Sequence, residues 1–392
     1  MIRRFIKMYK EGMQPSPYTP GRVTTDIFGR DALLTDIKRD LAFMMVEPHF
    51  AGQLEVFVGP RGVGKTSLLR AAQAEAGDKG FETLWVTAGD GPLLQSLVEA
   101  LDELTRSWSD GVVETLRKLI AAFKVDFGGV TIEAARSGHV APQRNPASRL
   151  QNLLVEAGRA AVSRGHGLVV FIDEVQSADA DGIRAYAYAW QHMQSEQPDL
   201  AIATYAAGLS HSQDVITDAV SFAERFRYRP LQNLTSEQSA IALETLAKVR
   251  GVRWSSDALE MALDFARGYP YFIQSIGDEV WKAAGYPGAG VVLEAEQVAS
   301  ANEGFEAMRR AFFRARWQKA TSAEAQMLRA MAKNGDGPVR RADIAATMGR
   351  SSNELSMARR SLMDKGLIDA PSHGYLEFTA PGFADFVRNE VD

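Results

Sequence analysis

The sequence predicts an α/β fold with a parallel sheet, followed by a helical region and a small C-terminal domain. Short apolar runs alternate with amphipathic helical segments up to about residue 205, which is typical of parallel strands joined by crossover helices. The run Leu168–Ile172 is apolar throughout, as in a strand buried on both faces. The length of 392 residues suggests two or three domains.

The predicted sheet region covers residues 21–233 and follows an N-terminal arm, residues 1–20. Apolar residues at helical spacing predict a first helix from Asp31 to about Met45. The strands expected after it are 54–58, 83–87, 168–172 and 200–205, and the helices are about 65–75, 93–107, 147–163 and 183–195. Lys124–Glu133, with a Gly-Gly turn, predicts a hairpin, which we assign to an insertion at about residues 109–146.

Residues 234–318 follow an almost wholly helical pattern. Thr235 with Gln238 three residues later predicts a capping box at the start of the first helix. The arginines from Arg309 to Arg316 are expected on a solvated face of the last helix. From residue 319 the pattern changes to three short helices and a two-stranded ribbon, which indicates a further domain over 319–392.

A phosphate-binding loop pattern lies between the first predicted strand and its helix. Its glycines allow the backbone to expose N–H groups to a phosphate chain, and the helix that follows directs its positive end at the same place. Lys65 is expected to reach the β- and γ-phosphates, and Thr66 to ligate Mg²⁺. The residues predicted to bind nucleotide here are Gly59, Pro60, Arg61, Gly62, Val63, Gly64, Lys65, Thr66 and Ser67.

Two carboxylates follow the buried strand, at the sheet edge where ligands of open α/β sheets bind. Asp173 is expected to hold Mg²⁺ through a water, and Glu174 to polarise the attacking water. Lys65, Thr66, Asp173 and Glu174 together argue against a scaffold that binds nucleotide without hydrolysing it. Gln176 either orients water or reads the γ-phosphate, or else is a helix-surface residue.

With both motifs in place, residues 23–390 resemble the AAA+/STAND branch of P-loop ATPases. The resemblance is strongest to the origin-recognition-like and archaeal-type ATPases with a C-terminal winged helix. It implies a P-loop NTPase sheet, a helical lid at 234–318 and a winged helix-turn-helix domain at 319–392. It also implies ATP and ADP as the nucleotides and Mg²⁺ as the metal.

Three short motifs carry the resemblance further. Ile27–Asp31 is similar to the FxGR[DE] box that lies against the adenine in the family, so Phe28, Gly29 and Arg30 are expected nucleotide contacts. Val175-Gln176 completes the "DEhQ" pattern of archaeal-type and STAND-like members. Gly268–Tyr271 resembles the "GxP" signature of STAND-like lids, which makes Pro270 a further expected contact.

The segment Ala223–Tyr228 resembles the region that carries the arginine reaching a neighbour's γ-phosphate in AAA+ oligomers. Arg225 is the first candidate for that catalytic role in a homo-oligomer and Arg227 the second; a structural ion pair is the alternative. The chain departs from the initiator pattern because it has no sensing arginine inside a lid helix. It also lacks a clear sensor asparagine at the fourth strand, where only Thr204 and Ser210 are polar. Both departures favour a slow switch over a motor.

The order of the C-terminal elements matches a winged helix, with wing strands at 367–369 and 375–378. Double-stranded DNA is one expected target, and protein-only contact is the other. The groove-facing candidates are Ser352, Asn353, Ser356, Arg359 and Arg360. The phosphate-contact candidates are Arg340, Arg341, Arg350 and Lys365, with His373 at the wing tip.

Composition narrows the class of protein. The net charge of −5 argues against a chain that coats DNA, although residues 311–392 carry 12 basic and 10 acidic side chains. Without cysteine there is no disulfide, thiolate metal site or cysteine nucleophile. No run approaches 18 apolar residues and the basic N-terminus does not look like a secretory signal, so we expect a cytoplasmic protein without a membrane partner.

The sequence therefore favours an ATP-binding and slowly hydrolysing AAA+/STAND-like ATPase. In the first hypothesis nucleotide controls a winged helix that contacts DNA. In the second, the protein is a signalling or regulatory ATPase whose winged helix binds a protein partner or packs within the chain.

Overall fold

The computed structural model describes residues 12–24, 26–106, 108, 113–127 and 145–389. Contacts between Cα atoms divide the chain into two units. The sheet unit comprises Thr24–Gly59 and Lys65–Pro230. The helical unit comprises Met1–Val23, Pro60–Gly64 and Leu231–Asp392.

The sheet unit is built on five parallel strands in the order β2-β3-β4-β1-β5. They are β1 Glu55–Val58, β2 Glu82–Thr87, β3 Leu168–Asp173, β4 Ile202–Gly208 and β5 Arg227–Pro230. All residues of β3 and β4 are buried, as their apolar sequences require. The predicted parallel α/β sheet is confirmed. Strands β4 and β1 are neighbours in the sheet but not in sequence, and ligands of open α/β sheets bind at the strand ends beside such a crossover.

Helices cover this sheet and supply most of its apolar core. They are α1 Asp31–Val46, α2 Lys65–Asp78, α3 Leu93–Arg106, α4 Val113–Phe127, α5 Pro146–Arg164, α6 Ala180–Glu196 and α7 Ser212–Ala219. Pro146 at the first position and the Asn145 side chain, which accepts from Ala147 N, fix the start of α5. These features keep α5 and its neighbours packed beside the strand that carries Asp173.

One predicted element of the insertion is wrong where the structure describes it. The expected hairpin began with a strand at Lys124, whereas residues through Phe127 continue helix α4. Apolar residues at helical spacing, including the buried Leu116, Ile120 and Phe123, set a 3.6-residue period that overrides the short alternating pattern. The rest of the predicted hairpin, 128–133, lies outside the described residues.

The helical unit begins with four helices: α8 Ser236–Val249, α9 Ser256–Ala266, α10 Pro270–Ala283 and α11 Ala295–Trp317. The predicted capping box is confirmed, because the Thr235 side chain accepts from Gln238 N and the Gln238 side chain accepts from Thr235 N. Two short parallel strands, β6 Arg253–Trp254 and β7 Val292–Leu293, join the intervening loops.

The described part of the N-terminal arm packs on these helices. Tyr18 is buried, and its hydroxyl donates to Leu243 O and accepts from Trp254 Nε1. The indole of Trp281 donates to Gln14 O. The arm from residue 12 onward is therefore an integral layer of the helical unit.

The last part of the chain adds four helices and a three-stranded antiparallel sheet. The helices are α12 Ser322–Asn334, α13 Arg341–Thr347, α14 Ser356–Asp364 and α15 Phe383–Asn389, and the strands are β8 Val339–Arg340, β9 Ile368–Asp369 and β10 Tyr375–Phe378. Strand β10 lies between β8 and β9, so the expected two-stranded ribbon has a third strand. The polar loop between β9 and β10 contains His373, which is exposed.

The boundary between the units at Pro230 lies close to the predicted end of the sheet region at residue 233. The division of the remaining chain into a lid and a separate C-terminal domain stays a prediction. Among the helices of the described ranges, none is both long enough and apolar enough to cross a membrane.

Candidate functional site

The phosphate-binding loop starts at the end of β1 and leads into α2. Gly59 N donates to Gly208 O at 3.2 Å, which fixes the end of β1 to the end of β4. Gly62 and Gly64 have φ angles of 95° and 93°, a backbone conformation that favours glycine. Lys65 is the first residue of α2, so the N–H groups of the first helical turn begin at the loop.

Lys65 is buried, with 7% of its surface exposed. Its Nζ donates to Gly59 O at 2.8 Å, so the ammonium group lies back across the loop from which it extends. A cation at this depth suits a polyanionic ligand, because the charge is shielded little by water. Ser67 follows in the same turn and is partly buried.

Thr66 and Asp173 are in direct contact. Thr66 Oγ1 donates to Asp173 Oδ2 at 2.8 Å, and Asp173 is only 5% exposed at the carboxyl end of β3. Burial is the largest influence on Asp173; together with the neighbouring Glu174 carboxylate it raises the pKa of Asp173 above its usual range, against the hydrogen bond from Thr66. A divalent cation between these two oxygens would favour the ionised carboxylate.

Glu174 lies where β3 ends and a 3₁₀ turn, Val175–Ser177, begins. Its backbone is left-handed, with φ 54° and ψ 40°, and its N–H donates to Asp173 Oδ1 at 3.0 Å. A non-glycine residue in this conformation is held there by its surroundings, which is common at active sites. The turn directs successive side chains away from the strand, so the two carboxylates occupy separate positions.

Gln176 connects Glu174 to the end of β4. Its Nε2 donates to Glu174 Oε2 at 2.6 Å, and its Oε1 accepts from Leu209 N at 3.0 Å. Both ends of the amide are thus used, which does not fit the alternative of a helix-surface glutamine. Gln176 instead fixes the Glu174 carboxylate relative to the sheet.

These residues fit a Mg²⁺–nucleotide complex. A threonine hydroxyl and a buried carboxylate in contact are oxygen ligands of the kind that Mg²⁺ takes together with phosphate oxygens and water. The buried ammonium and the glycine loop supply positive charge and N–H donors for the phosphates. A second carboxylate, Glu174, is held beside the first by its own hydrogen bond.

The further residues expected to contact the nucleotide belong to two different units. Phe28, Gly29 and Arg30 precede α1 in the sheet unit and are partly buried, with Gly29 at φ 67°. Burial lowers the pKa of Arg30 below its usual range. Pro270 is the first residue of α10 in the helical unit. Their roles as nucleotide contacts stay predictions.

The two candidate arginines differ in their surroundings. Arg227 Nη1 donates to the buried Glu55 at 3.0 Å, so it takes the structural ion-pair role that the sequence offered as an alternative. Arg225 ends a 3₁₀ turn, where its N–H donates to Phe222 O and its carbonyl accepts from Gln53 Nε2. Both arginines are exposed, and they differ in the ion pair that Arg227 makes with Glu55.

Thr204 does not serve as a replacement for the missing sensor. It lies in the middle of β4, and its hydroxyl is 2.6 Å from the Tyr186 hydroxyl inside the apolar core. Ser210 follows the end of β4 and is partly buried. The polar group that does extend between β4 and the carboxylates is Gln176.

Sequence reasoning missed two residues that contact the loop from within the helical unit. Tyr269 is fully buried, and its hydroxyl donates to Arg61 O at 2.9 Å. Arg316 was expected on a solvated face, but it is partly buried and donates to the same hydroxyl at 3.0 Å. Tyr269 lies within the "GxP" motif, so the sequence contained a signal for its contact with the loop. No sequence pattern pointed to Arg316.

Most of the expected DNA-contact residues are at the surface. Asn353, Ser356, Arg360, Arg340, Arg350 and His373 are exposed, and Ser352, Arg359 and Arg341 are partly exposed. Lys365 is an exception, because its ammonium group donates to the buried Glu324 at 2.5 Å. Its role as a phosphate contact stays a prediction, like those of the other candidates.

Comparisons with known proteins agree with this geometry. Residues 27–203 match the AAA ATPase domain family, and residues 310–387 match a family described as a domain of unknown function, DUF8462. No curated protein sequence matches significantly.

Solved structures share the fold across nearly the whole chain. The ORC2 protein of Aeropyrum pernix, solved as ADPNP and ADP complexes, is 16% identical with a TM-score of 0.58. The Walker-type ATPase PABY2304 of Pyrococcus abyssi is also 16% identical, with a TM-score of 0.55. Each comparison covers 96% of this chain and 98% of the other. The chain thus contains an AAA+ P-loop ATPase domain, an ATP-binding and ATP-hydrolysing module.

Proposed function

We propose that this protein is a nucleotide-controlled switch that binds ATP with Mg²⁺, hydrolyses it slowly and contacts double-stranded DNA through a winged helix at 319–392. The observation that carries the proposal is the cluster at the sheet edge. Thr66 and Asp173 share a hydrogen bond, Lys65 bonds the loop, and Gln176 holds Glu174. These residues would supply the phosphate-binding, metal-binding and water-polarising groups that hydrolysis of a nucleoside triphosphate uses.

In this mechanism each side chain has one task. Lys65 neutralises charge on the β- and γ-phosphates, and Glu174 accepts a hydrogen bond from the attacking water and increases its nucleophilicity. Thr66 and Asp173 would hold Mg²⁺, which offsets phosphate charge when bound. Gln176 keeps the Glu174 carboxylate in one orientation, so that the base does not have to be ordered during the reaction.

Slow turnover follows from what surrounds the cluster. Thr204 is committed to Tyr186 and Arg227 to Glu55, so neither is available to stabilise the transition state. We expect the exposed Arg225 to act on the γ-phosphate bound by a second copy of the chain. A single copy would therefore lack the guanidinium that speeds related hydrolyses by several orders of magnitude.

The DNA part of the proposal is supported by the C-terminal elements. Helices α13 and α14 are separated by residues 348–355, and the loop between β9 and β10 would be the wing. Exposed arginines stand at the turn and on α14, where phosphate and base-edge contacts are made in helix-turn-helix proteins. In this proposal the winged helix contacts DNA through local positive charges, although the net charge of the whole chain is −5.

The proposal is tested by duplex-DNA binding with and without ATP over a salt series. We expect log Kobs to fall with log salt by a slope of about −3 to −5, as for roughly four to five phosphate contacts. Replacing Arg340 and Arg350, two exposed phosphate-contact candidates, with Ala should reduce the slope by about 2. Lys333→Ala, at an exposed position of α12, is the matched control. A complex that is absent at low salt, or indifferent to ATP, would contradict the proposed switch.

A protein partner is the second candidate, and Met357 favours it. This residue of α14 is 87% exposed, amid the proposed DNA-contact side chains. An apolar side chain at that position suits a protein surface better than a phosphate backbone. This candidate would be favoured if DNA binding in the same salt series did not change with salt concentration and if the Met357→Ser variant lost its function.

A further inference from the structure

The peptide group between Arg61 and Gly62 is held from one side by Tyr269. Tyr269 is fully buried and packs edge-on against Phe272, with ring centroids 4.8 Å apart. Its hydroxyl donates to Arg61 O at 2.9 Å. A Cβ placed on Gly62 would lie 2.0 Å from that hydroxyl, so the tyrosine occupies the space directly against the loop.

This contact also orients a phosphate donor. The carbonyl of Arg61 and the N–H of Gly62 belong to one planar trans peptide, so the two groups point in opposite directions. Fixing the carbonyl therefore fixes the direction of the Gly62 N–H. In a phosphate-binding loop, that N–H is one of the backbone donors to the phosphate chain.

Arg316 continues the contact toward the C-terminal part of the same unit. Its Nη2 donates to the Tyr269 hydroxyl at 3.0 Å. Its Nη1 lies 3.3 Å from both Gly366 O and Thr379 Oγ1 and donates to them. The guanidinium is stacked over Phe312, with 4.2 Å from its carbon to the ring centroid. One side chain thus bonds residues on three segments that are distant in sequence.

The far end of this network has a hydrogen bond of its own and lies close to Arg61. Thr379 is buried and donates its own hydrogen bond to Gly366 O at 2.7 Å. Gly366 has φ 66°, and a Cβ built on it would lie 3.1 Å from Arg61 Cβ. The loop residue Arg61 consequently meets the segment 366–379 directly as well as through Tyr269 and Arg316.

We propose that Tyr269 and Arg316 are positioning residues that hold the Arg61–Gly62 peptide for phosphate binding and report its position to residues 366–379. The proposal rests on the nucleotide binding described under Proposed function and goes beyond it by naming the side chains that link the loop to the C-terminal segment. When a phosphate draws the Gly62 N–H, the opposite carbonyl turns with it. The Tyr269 hydroxyl and Arg316 must then follow or lose a hydrogen bond, and Gly366 and Thr379 sense the change.

The test uses the full chain and two variants that remove the network without emptying the core. Tyr269→Phe deletes only the hydroxyl, and Arg316→Gln deletes the charge and two of the donors. Arg314→Gln, two residues earlier on α11 with an exposed side chain, is the control. For each protein, ATP affinity, KM and kcat are measured, and hydrogen exchange of residues 366–379 is followed with and without ATP.

We expect Tyr269→Phe and Arg316→Gln to raise Kd and KM for ATP roughly tenfold with kcat nearly unchanged, because the loop contacts ground and transition states alike. The parent and Arg314→Gln should show an ATP-dependent change in exchange at 366–379, and both network variants should lose it. A merely structural role would lower kcat through a smaller folded fraction and leave KM alone.

Two results would overturn the inference. If the parent binds ATP but exchange at 366–379 does not respond, nothing is reported to that segment. If the response survives in Tyr269→Phe with unchanged KM, the hydroxyl does not position the loop. Failure of the parent to bind ATP at all is a different result, since it would remove the proposed function and the inference with it.

Discussion

The two parts of the phosphate-binding loop have different surroundings. Lys65 and Thr66 bond to Gly59 and Asp173 of the sheet unit, through charged or strongly polar side chains. Arg61, by contrast, is bonded through its backbone carbonyl to a tyrosine of the helical unit. The charged and strongly polar side chains of the loop are thus held within the sheet unit, whereas the Arg61 carbonyl is held within the helical unit. Glu174→Gln, Lys65→Ala and the comparison of Gly62→Ala with Gly64→Ala can test this division.

The largest effect is expected for Glu174→Gln. The amide keeps the shape and the contact with Gln176 but cannot polarise water, so hydrolysis should fall about 100- to 1,000-fold while ATP affinity stays within a few-fold. Single-turnover hydrolysis and equilibrium ATP binding give the two numbers. Turnover equal to that of the parent would show that Glu174 is not the activating base.

Lys65→Ala should affect binding instead. Loss of the buried ammonium group that we expect to bind the phosphates should weaken ATP binding about 100-fold. Lys79→Ala, just beyond the other end of α2, removes the same charge from the surface and serves as the control. Titration with a fluorescent ATP analogue measures both, and an unchanged Kd for Lys65→Ala would remove the assignment of the loop.

Gly62→Ala and Gly64→Ala compare the two parts of the loop directly. Both glycines have positive φ. A Cβ built on Gly62 would overlap the Tyr269 hydroxyl, whereas one built on Gly64 would meet no heavy atom of the described residues within 4 Å beyond its chain neighbours. Without nucleotide, Gly64→Ala should lower unfolding free energy by about 1 kcal/mol, and Gly62→Ala by about 2–3 kcal/mol. Urea unfolding measures both. Equal losses would mean that Tyr269 yields easily and does not define the loop.

The smallest effect concerns the ion pair of Lys365 with Glu324. Burial would raise the pKa of Glu324, but hydrogen bonds from Lys365, Ser361 and Thr321 outweigh it and lower this pKa to about 2. Because the folded pKa lies below the ordinary 4.5, the pair stabilises above about pH 4.5 and is lost as pH falls toward 2.

Lys365→Met should therefore destabilise α12 by about 1–2 kcal/mol at neutral pH, and the difference from the parent should shrink below pH 4.5. Hydrogen exchange of residues 322–334 over a pH series measures it, with Lys333→Met as the surface control. A pH-independent difference would point to lost packing of the lysine stem instead.

Local pattern was enough to predict the sheet and its carboxylates. Leu168–Ile172 has no polar residue, so only a buried central strand suits it, and the strand places Asp173 at the ligand edge. The loop is specified in eight consecutive residues, and its glycines allow one backbone path. Thr66 and Asp173, 107 positions apart, meet because both elements are fixed by such local signals.

The parts that could not be predicted depend on contacts between distant segments. Lys124–Phe127 has an alternating pattern, but helix α4 continues through it because its earlier turns are already packed. The residues around Arg316 in the sequence are similar to those around Arg310 and Arg314, which are exposed. Only the approach of Tyr269, Gly366 and Thr379 distinguishes it, and no periodicity in the sequence encodes that approach.

The buried Tyr18 has a practical consequence for dividing this protein into fragments. Its hydroxyl joins Leu243 O and Trp254 Nε1, and Gln14 O accepts from the Trp281 indole, so residues near the start of the chain complete a core formed after residue 231. The chain leaves the helical unit after Val23, returns to it for Pro60–Gly64, and returns again at Leu231. A truncated chain beginning at residue 231 would expose two tryptophans to water and would lack the phosphate-binding loop. Aggregation of such a fragment without nucleotide would therefore reflect the missing part of its core. The roles of the two units are better tested by point substitutions than by truncating the chain.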